Sequence, residues 1–121
     1  MHELSIAREL VRLIEAEARR AGARRVRSAR VVLGARSHVS AEILQFYVTH
    51  LLDPEGPAAG LVLTCERQPM RFRCGPCRID YEPSETDWRC PRCGRIGELL
   101  ETGDEVFLES LEIECAPQPN T

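Results

Sequence analysis

Four of the six cysteines stand as two Cys-x-x-Cys pairs, Cys74-Gly75-Pro76-Cys77 and Cys90-Pro91-Arg92-Cys93, with twelve residues between the pairs. Two residues between cysteines put both thiolates on one side of a tight turn, and Gly75, Pro76, Pro91 and Gly94 supply the backbone shapes such turns require. Two such knuckles facing one another offer four sulfurs in a tetrahedron. That is the closed coordination of structural zinc, with no position left for a water nucleophile. Disulfides, a thioredoxin-like redox pair and an iron–sulfur cluster are the alternatives for paired cysteines. A redox pair has no need of a second knuckle, so the pattern favours one zinc ion on Cys74, Cys77, Cys90 and Cys93. Cys65 and Cys115 fall in alternating apolar stretches and read as buried thiols on strands.

A second set of donors opens the chain, which begins Met1-His2-Glu3. The bulk of His2 should keep the initiator methionine in place. The Met1 amine, the His2 backbone nitrogen and the His2 imidazole then form fused chelate rings around one ion, and the Glu3 backbone nitrogen or carboxylate supplies a fourth ligand. Deprotonated amide nitrogens suit square-planar Ni(II) or Cu(II) better than Zn(II). Taken alone, a His at this position also fits an incidental polar residue before a helix, with Glu3 complementing the helix dipole. His38 reads as a loop residue and His50 as a partly buried helix residue.

Composition narrows the remaining classes. The 121 residues suit one domain carrying a small metal-stabilised insert, and an aromatic fraction of 5% leaves the core to Leu, Val and Ile. Residues 1–64 carry 9 Arg and 7 acids, residues 65–95 carry 7 Arg and 5 acids, and the last 26 residues carry 7 acids and no base. The excess of two positive charges in the middle part is cancelled by a zinc ion with four thiolates. No sustained positive surface remains for a phosphate backbone, which argues against nucleic acid. The early charges do not suit a signal peptide, no run approaches a membrane span, and paired metal-type cysteines fit a reducing compartment, so the cytoplasm is expected. No Ser-His-Asp grouping, catalytic zinc triad or phosphate loop suggests an enzyme.

The elements that must position these donors follow from periodicity. Leu4, Ala7, Leu10, Val11, Ile14 and Ala18 recur at helical spacing as far as Gly22, which ends the helix. Residues 25–34 read as a strand. Ser40 caps a second helix from Ala41 to about Leu52, with Ile43, Phe46, Tyr47, His50 and Leu51 along one side, and Asp53-Pro54 stops it. A loop to Gly60 leads into a strand with Leu61, Leu63 and Cys65 on one face. Pro69 marks entry to the cysteine-rich insert, whose middle has room for a hairpin through Ile79-Asp80-Tyr81 and Trp88. A turn at Gly103-Asp104 precedes a last strand, Val106 to Cys115, with Phe107, Leu111, Ile113 and Cys115 on one face, and the C-terminal Ala116 to Thr121 reads as a loose tail. Two helices and two strands make a thin core, so the last strand should return to the first sheet.

The opening Met1-His2-Glu3-Leu4-Ser5-Ile6-Ala7, the two cysteine pairs, and Gly103-Asp104-Glu105 before a Leu-Glu-Ile-Glu strand together resemble the HypA/HybF family of nickel metallochaperones. The resemblance covers nearly the whole chain. It implies that His2 binds nickel, with Met1 and Glu3 beside it, and that the four knuckle cysteines bind zinc. The implied fold is α+β: a small sheet flanked by two helices, one on each side, forms a nickel-binding domain over 1–69 and 103–121. A zinc-ribbon-like domain with four cysteine ligands is inserted over 70–102. The implied function is delivery of nickel, with the GTPase HypB, to the large subunit of [NiFe]-hydrogenase, and for some members service to urease maturation. The family has no enzymatic activity of its own. Some members use a further His near the zinc lobe for nickel, and this lobe has none, so a fourth ligand would come from the N-terminal backbone, Glu3 or a partner. A zinc-ribbon adaptor that binds protein or nucleic acid without nickel, using Arg71, Arg73, Arg78, Arg89, Arg92 and Arg95, is the competing reading.

Overall fold

Helix α1 (His2–Arg20) buries the expected stripe of Ala7, Leu10, Val11, Ile14 and Ala18. It ends at Gly22, whose φ of 64° is the left-handed conformation that glycine adopts without a Cβ clash. In this computed structural model the described residues are 2–84, 86–100 and 105–115, with His2 described by its backbone alone. The Met1 amine, the His2 imidazole, the expected turn at Gly103-Asp104 and the expected tail therefore lie outside them.

Strand β1 (Ala23–Leu33) is central in a three-stranded sheet of order β2-β1-β6, pairing in parallel with β2 (Val62–Arg67) and antiparallel with β6 (Val106–Cys115). A parallel pair needs a crossover, and α2 (Ala41–Leu51) supplies it. Ser40 caps α2 as its sequence suggests: its hydroxyl accepts from the Ile43 N–H at 3.3 Å. The last strand does return to the first sheet.

Both helices pack on the same face of this sheet, unlike the arrangement with one on each side. They contact each other, and Leu44 and Val48 of α2 share one buried cluster with the α1 stripe and with Val26, Ala29, Val31, Leu33 and Leu63 of the sheet. The opposite face is polar, with Arg30 paired to Glu66 and, at 3.8 Å, to Glu109, and Arg27 paired to Glu114. The Ser40 N–H donates to the Glu3 carboxylate near the start of α1, and the Asp53 N–H donates to Glu15 farther along it. The two helices therefore run parallel, with their N-termini side by side.

Two expected faces differ from those observed. On α2 the core takes Leu44 and Val48, while Ile43, Phe46 and His50 are exposed, because the helix presents its inner side to α1 and not to a second layer. On β6, Leu111 and Ile113 face the core, but Phe107 lies opposite Val32 and is exposed, and Val106 and Leu108 pack inward in its place. A register shift between Arg30 and Val31 leaves Glu109 without a partner across the ladder, and this bulge reverses the alternation. Cys115, expected on the buried face, is exposed.

The insert forms its own sheet, order β4-β3-β5, from β3 (Phe72–Cys74), β4 (Ile79–Tyr81) and β5 (Glu98–Leu99). The hairpin partner of Ile79–Tyr81 is β3 across the first knuckle, and Trp88 instead leans on Phe72, ring centroids 5.8 Å apart. A small cluster of Phe72, Cys74, Tyr81 and Cys90 fills its interior, separate from the main core. The Tyr81 hydroxyl donates to the Trp88 carbonyl at 2.8 Å and accepts from the Gly97 N–H at 2.9 Å. A Cβ at Gly97 would stand 2.4 Å from the Arg73 carbonyl oxygen, so only glycine fits there. No helix among the described residues is long and apolar enough to cross a membrane.

The two sides of α2 should respond differently to truncation. Leu44→Ala is expected to cost about 2–5 kcal/mol through lost burial and a cavity against α1. Phe46→Ala, at a side chain 58% exposed, should change stability by less than about 1 kcal/mol. Urea unfolding of both variants checks this, and equal losses would contradict the packing described here.

Candidate metal centre

The two knuckles repeat one backbone design. After Cys77 comes Arg78 with φ 54°, and after Cys93 comes Gly94 with φ 77°, so each turn closes with a left-handed residue. The Arg78 N–H reaches the Gly75 carbonyl at 3.2 Å, and the Gly94 N–H reaches the Cys90 carbonyl at 2.9 Å. The Arg92 N–H points at the Cys90 sulfur, 3.4 Å away. Turns of this kind aim backbone donors at a thiolate, which lowers the cost of its charge.

The knuckles face one another. The Sγ atoms of Cys74, Cys77, Cys90 and Cys93 all lie within 4.8 Å of one another, with Cys74 and Cys93 at 3.5 Å. A zinc–sulfur bond of about 2.3 Å requires tetrahedral sulfur separations of roughly 3.8 Å, so this donor set fits a tetrahedral ion with small adjustments. Cys74 and Cys90 are buried, Cys77 is half-buried and Cys93 is exposed, which leaves the centre open to exchange on one side.

The acidities of these thiols express the same need for a cation. Burial, together with the neighbouring sulfurs of Cys93, Cys74 and Cys90, pushes the Cys77 thiol up to about 12. Burial also opposes ionisation of Cys90, but the backbone N–H groups of Cys93 and Arg92 outweigh it and bring that thiol down to about 7. Four thiolates this close cannot coexist without a positive charge among them, and a soft divalent ion supplies it. None of the six cysteines is joined in a disulfide. Cys65 sits half-buried on β2, its thiol pushed up by burial, and the Cys115 thiol lies 3.8 Å from the Ala21 carbonyl, so neither joins the cluster.

At the other donor set, α1 begins at His2, so the His2 backbone nitrogen lies in the first turn, where the helical ladder uses no N–H groups. The Glu3 carboxylate accepts the Ser40 N–H at 3.2 Å, a contact that periodicity alone does not reveal. The loop between β1 and α2 thus lies against the start of α1. Arg67, the last residue of β2, holds that loop by donating to the carbonyls of Gly34 at 3.2 Å, Ser37 at 2.8 Å and Val39 at 3.0 Å. The only hint of this role in the sequence is an arginine where an apolar strand ends. His38 is exposed within the loop, and His50, expected to be partly buried, is exposed and bonded through Nδ1 to the Phe46 carbonyl at 2.8 Å.

Three of the six arginines of the insert stand beside acids, which breaks up a basic face. Arg71 and Arg73 lie 3.9 Å and 3.7 Å from Asp80, and Arg89 pairs with Asp87 at 2.9 Å. An apolar groove between α1 and β6 is lined chiefly by Ile6, Leu10, Leu13, Leu108 and Leu111 and offers no metal donor set.

Comparison with known proteins identifies the family of the chain. A family model described as "Hydrogenase/urease nickel incorporation, metallochaperone, hypA" matches residues 1–113. A protein of Caldanaerobacter subterraneus subsp. tengcongensis named "Hydrogenase maturation factor HypA" is 32% identical over 115 residues, covering 94% of this chain and 100% of the relative. One of the same name from Wolinella succinogenes is 36% identical over 118 residues, covering 95% and 97%. The "Solution structure of the Ni metallochaperone HypA from Helicobacter pylori" superposes with a TM-score of 0.62 at 21% identity, covering 94% of this chain and 98% of that one, and so shares the fold. A second, described as "Solution structure of HypA protein", has a TM-score of 0.69 at 23% identity, covering 96% and 98%. By its match over nearly its whole length, the chain belongs to the HypA family of nickel-incorporation metallochaperones, which are maturation factors and not enzymes.

Proposed function

We propose that the chain accepts Ni(II) at its first residues and, with a HypB-type GTPase, passes it to the large subunit of [NiFe]-hydrogenase, with urease maturation proteins as further partners. The nickel ligands are the Met1 amine, the backbone nitrogen and imidazole of His2, and a donor at Glu3. Residues 1–69 and 103–121 form the nickel-binding lobe. Residues 70–102 form a lobe in which Cys74, Cys77, Cys90 and Cys93 hold zinc, whose role is to keep that small core folded. The protein works in the cytoplasm.

The observation that carries this reading is the placement of His2 at the first position of α1, in a chain whose family is described by nickel incorporation. A helix N-terminus favours negative charge, and a backbone nitrogen that has lost its proton to bind nickel is an anion. A site at the end of the chain also suits transfer, because its ligands can be replaced one at a time by those of an acceptor. The Glu3 carboxylate is already engaged with the Ser40 N–H, which favours its backbone nitrogen over its side chain as the fourth donor.

The zinc assignment predicts about one zinc per chain by elemental analysis. Cys74→Ser or Cys93→Ser should release it and speed hydrogen exchange across residues 70–100, while amides of α1 keep their protection. Stoichiometric zinc in either variant would show that these thiolates are not the ligands.

The nickel assignment predicts that His2→Ala weakens Ni(II) binding sharply while zinc content and fold stay intact. Residues added before Met1 should do similar damage, since they convert the amine to an amide. Binding should also fall below about pH 6, where a proton competes for the imidazole. The d–d absorption of square-planar nickel reports all three effects. Unchanged affinity in the substituted or the extended protein would move the site elsewhere.

A further inference from the structure

We propose that His38 supplies a second imidazole to the nickel held at the N-terminus, taking the fourth in-plane position in place of the Glu3 donor, so that this chain completes the site from its own β1–α2 loop. The inference rests on the N-terminal reading above.

It starts from the contact between the Ser40 N–H and the Glu3 carboxylate, which fixes the loop against the first turn of α1. His38 is two residues before Ser40, so its Cα is within about 7 Å of the Ser40 Cα even if the chain is fully extended. A histidine side chain together with a metal–nitrogen bond of about 2 Å spans a gap of that order. Val39, between them, is buried in the main core, whereas His38 is exposed. The loop does not need to be ordered by the metal. Arg67 already binds the carbonyls of residues 34, 37 and 39, and the Ser37 hydroxyl accepts the Val39 N–H at 3.2 Å. A donor on a loop held from both sides loses little freedom on binding, which strengthens the complex.

The other imidazoles do not compete. The chain has three histidines. His50 is at the far end of α2, roughly 14 Å along the axis from Ala41 at 1.5 Å per residue, and its ring lies on Phe46 with centroids 4.2 Å apart. The insert contains none. With Glu3 committed to Ser40, His38 is the neutral nitrogen donor nearest the helix start among the described residues, and Ni(II) prefers such donors to carboxylate.

The test uses the full, zinc-loaded chain with an untagged N-terminus. Ni(II) titration should give at least about tenfold weaker binding in His38→Ala and in His38→Asn, with a shifted d–d band, and no change in His50→Ala. Cu(II) serves as a paramagnetic probe of the same geometry. Pulsed electron paramagnetic resonance should count two bound imidazoles in the unmodified chain and one in His38→Ala. A count of one in the unmodified chain overturns the proposal without recourse to any variant. So does unchanged nickel affinity in His38→Ala when His2→Ala has lost it, and in that case the N-terminal site still stands. If neither substitution weakens binding, the N-terminal site itself fails and this inference with it.

Discussion

The C-terminal end of β1 is the point on which the rest of the molecule depends. The Leu33 carbonyl accepts the Gln68 N–H at 2.8 Å, and the Gly34 N–H donates to the Glu105 carbonyl at 2.6 Å, so both legs of the insert are tied to one dipeptide. The Gly34 carbonyl also accepts from Arg67, whose guanidinium orders the loop leading to Ser40. Ser40 in turn starts α2 and holds Glu3. Removing that corner would release the insert, the second helix and the start of the first together. Hydrogen bonds from a charged donor are worth roughly twice neutral ones, so one exposed arginine is sufficient to organise three carbonyls.

Parallel alignment of α1 and α2 follows from the same corner and carries a cost. Two helix N-termini side by side place two positive dipole ends together. Glu3 and Glu42, each in a first turn, offset them. The Glu3 carboxylate thus has a structural duty at both helices, which explains its engagement with Ser40 better than a role as metal ligand does.

How much of this was legible in the sequence depends on the kind of signal. Cysteine spacing carried the four-sulfur cluster, because the ligand types and the turn residues are local. The α1 stripe was equally plain, since Ala7, Leu10, Ile14 and Ala18 face a single apolar layer. On α2 the periodicity was ambiguous: Leu44 with Val48 and Ile43 with Phe46 are both apolar pairs, and only contact with α1 decides which is buried. The phase of β6 was hidden for another reason. One unpaired residue at Glu109 reverses every later side chain, and no composition rule marks the position of such a bulge. The grip of Arg67 and Glu3 on the loop joins residues far apart in the chain, beyond the reach of any local pattern.

On the proposed assignment the two donor sets are opposite in chemistry, and that difference would let one small chain hold a resident ion and a cargo ion apart. Four thiolates in a closed tetrahedron suit a soft ion without geometric preference, and two of them are buried. The positive end of α1 repels a bare cation but stabilises an amide nitrogen that has lost its proton. A metal that cannot drive amide deprotonation therefore meets net repulsion there, whereas square-planar Ni(II) or Cu(II) brings its own anionic ligands into being. At the proposed N-terminal site, selection against zinc would thus arise from the field of the helix and from coordination geometry together, with the four-cysteine cluster as the place whose donors suit zinc better.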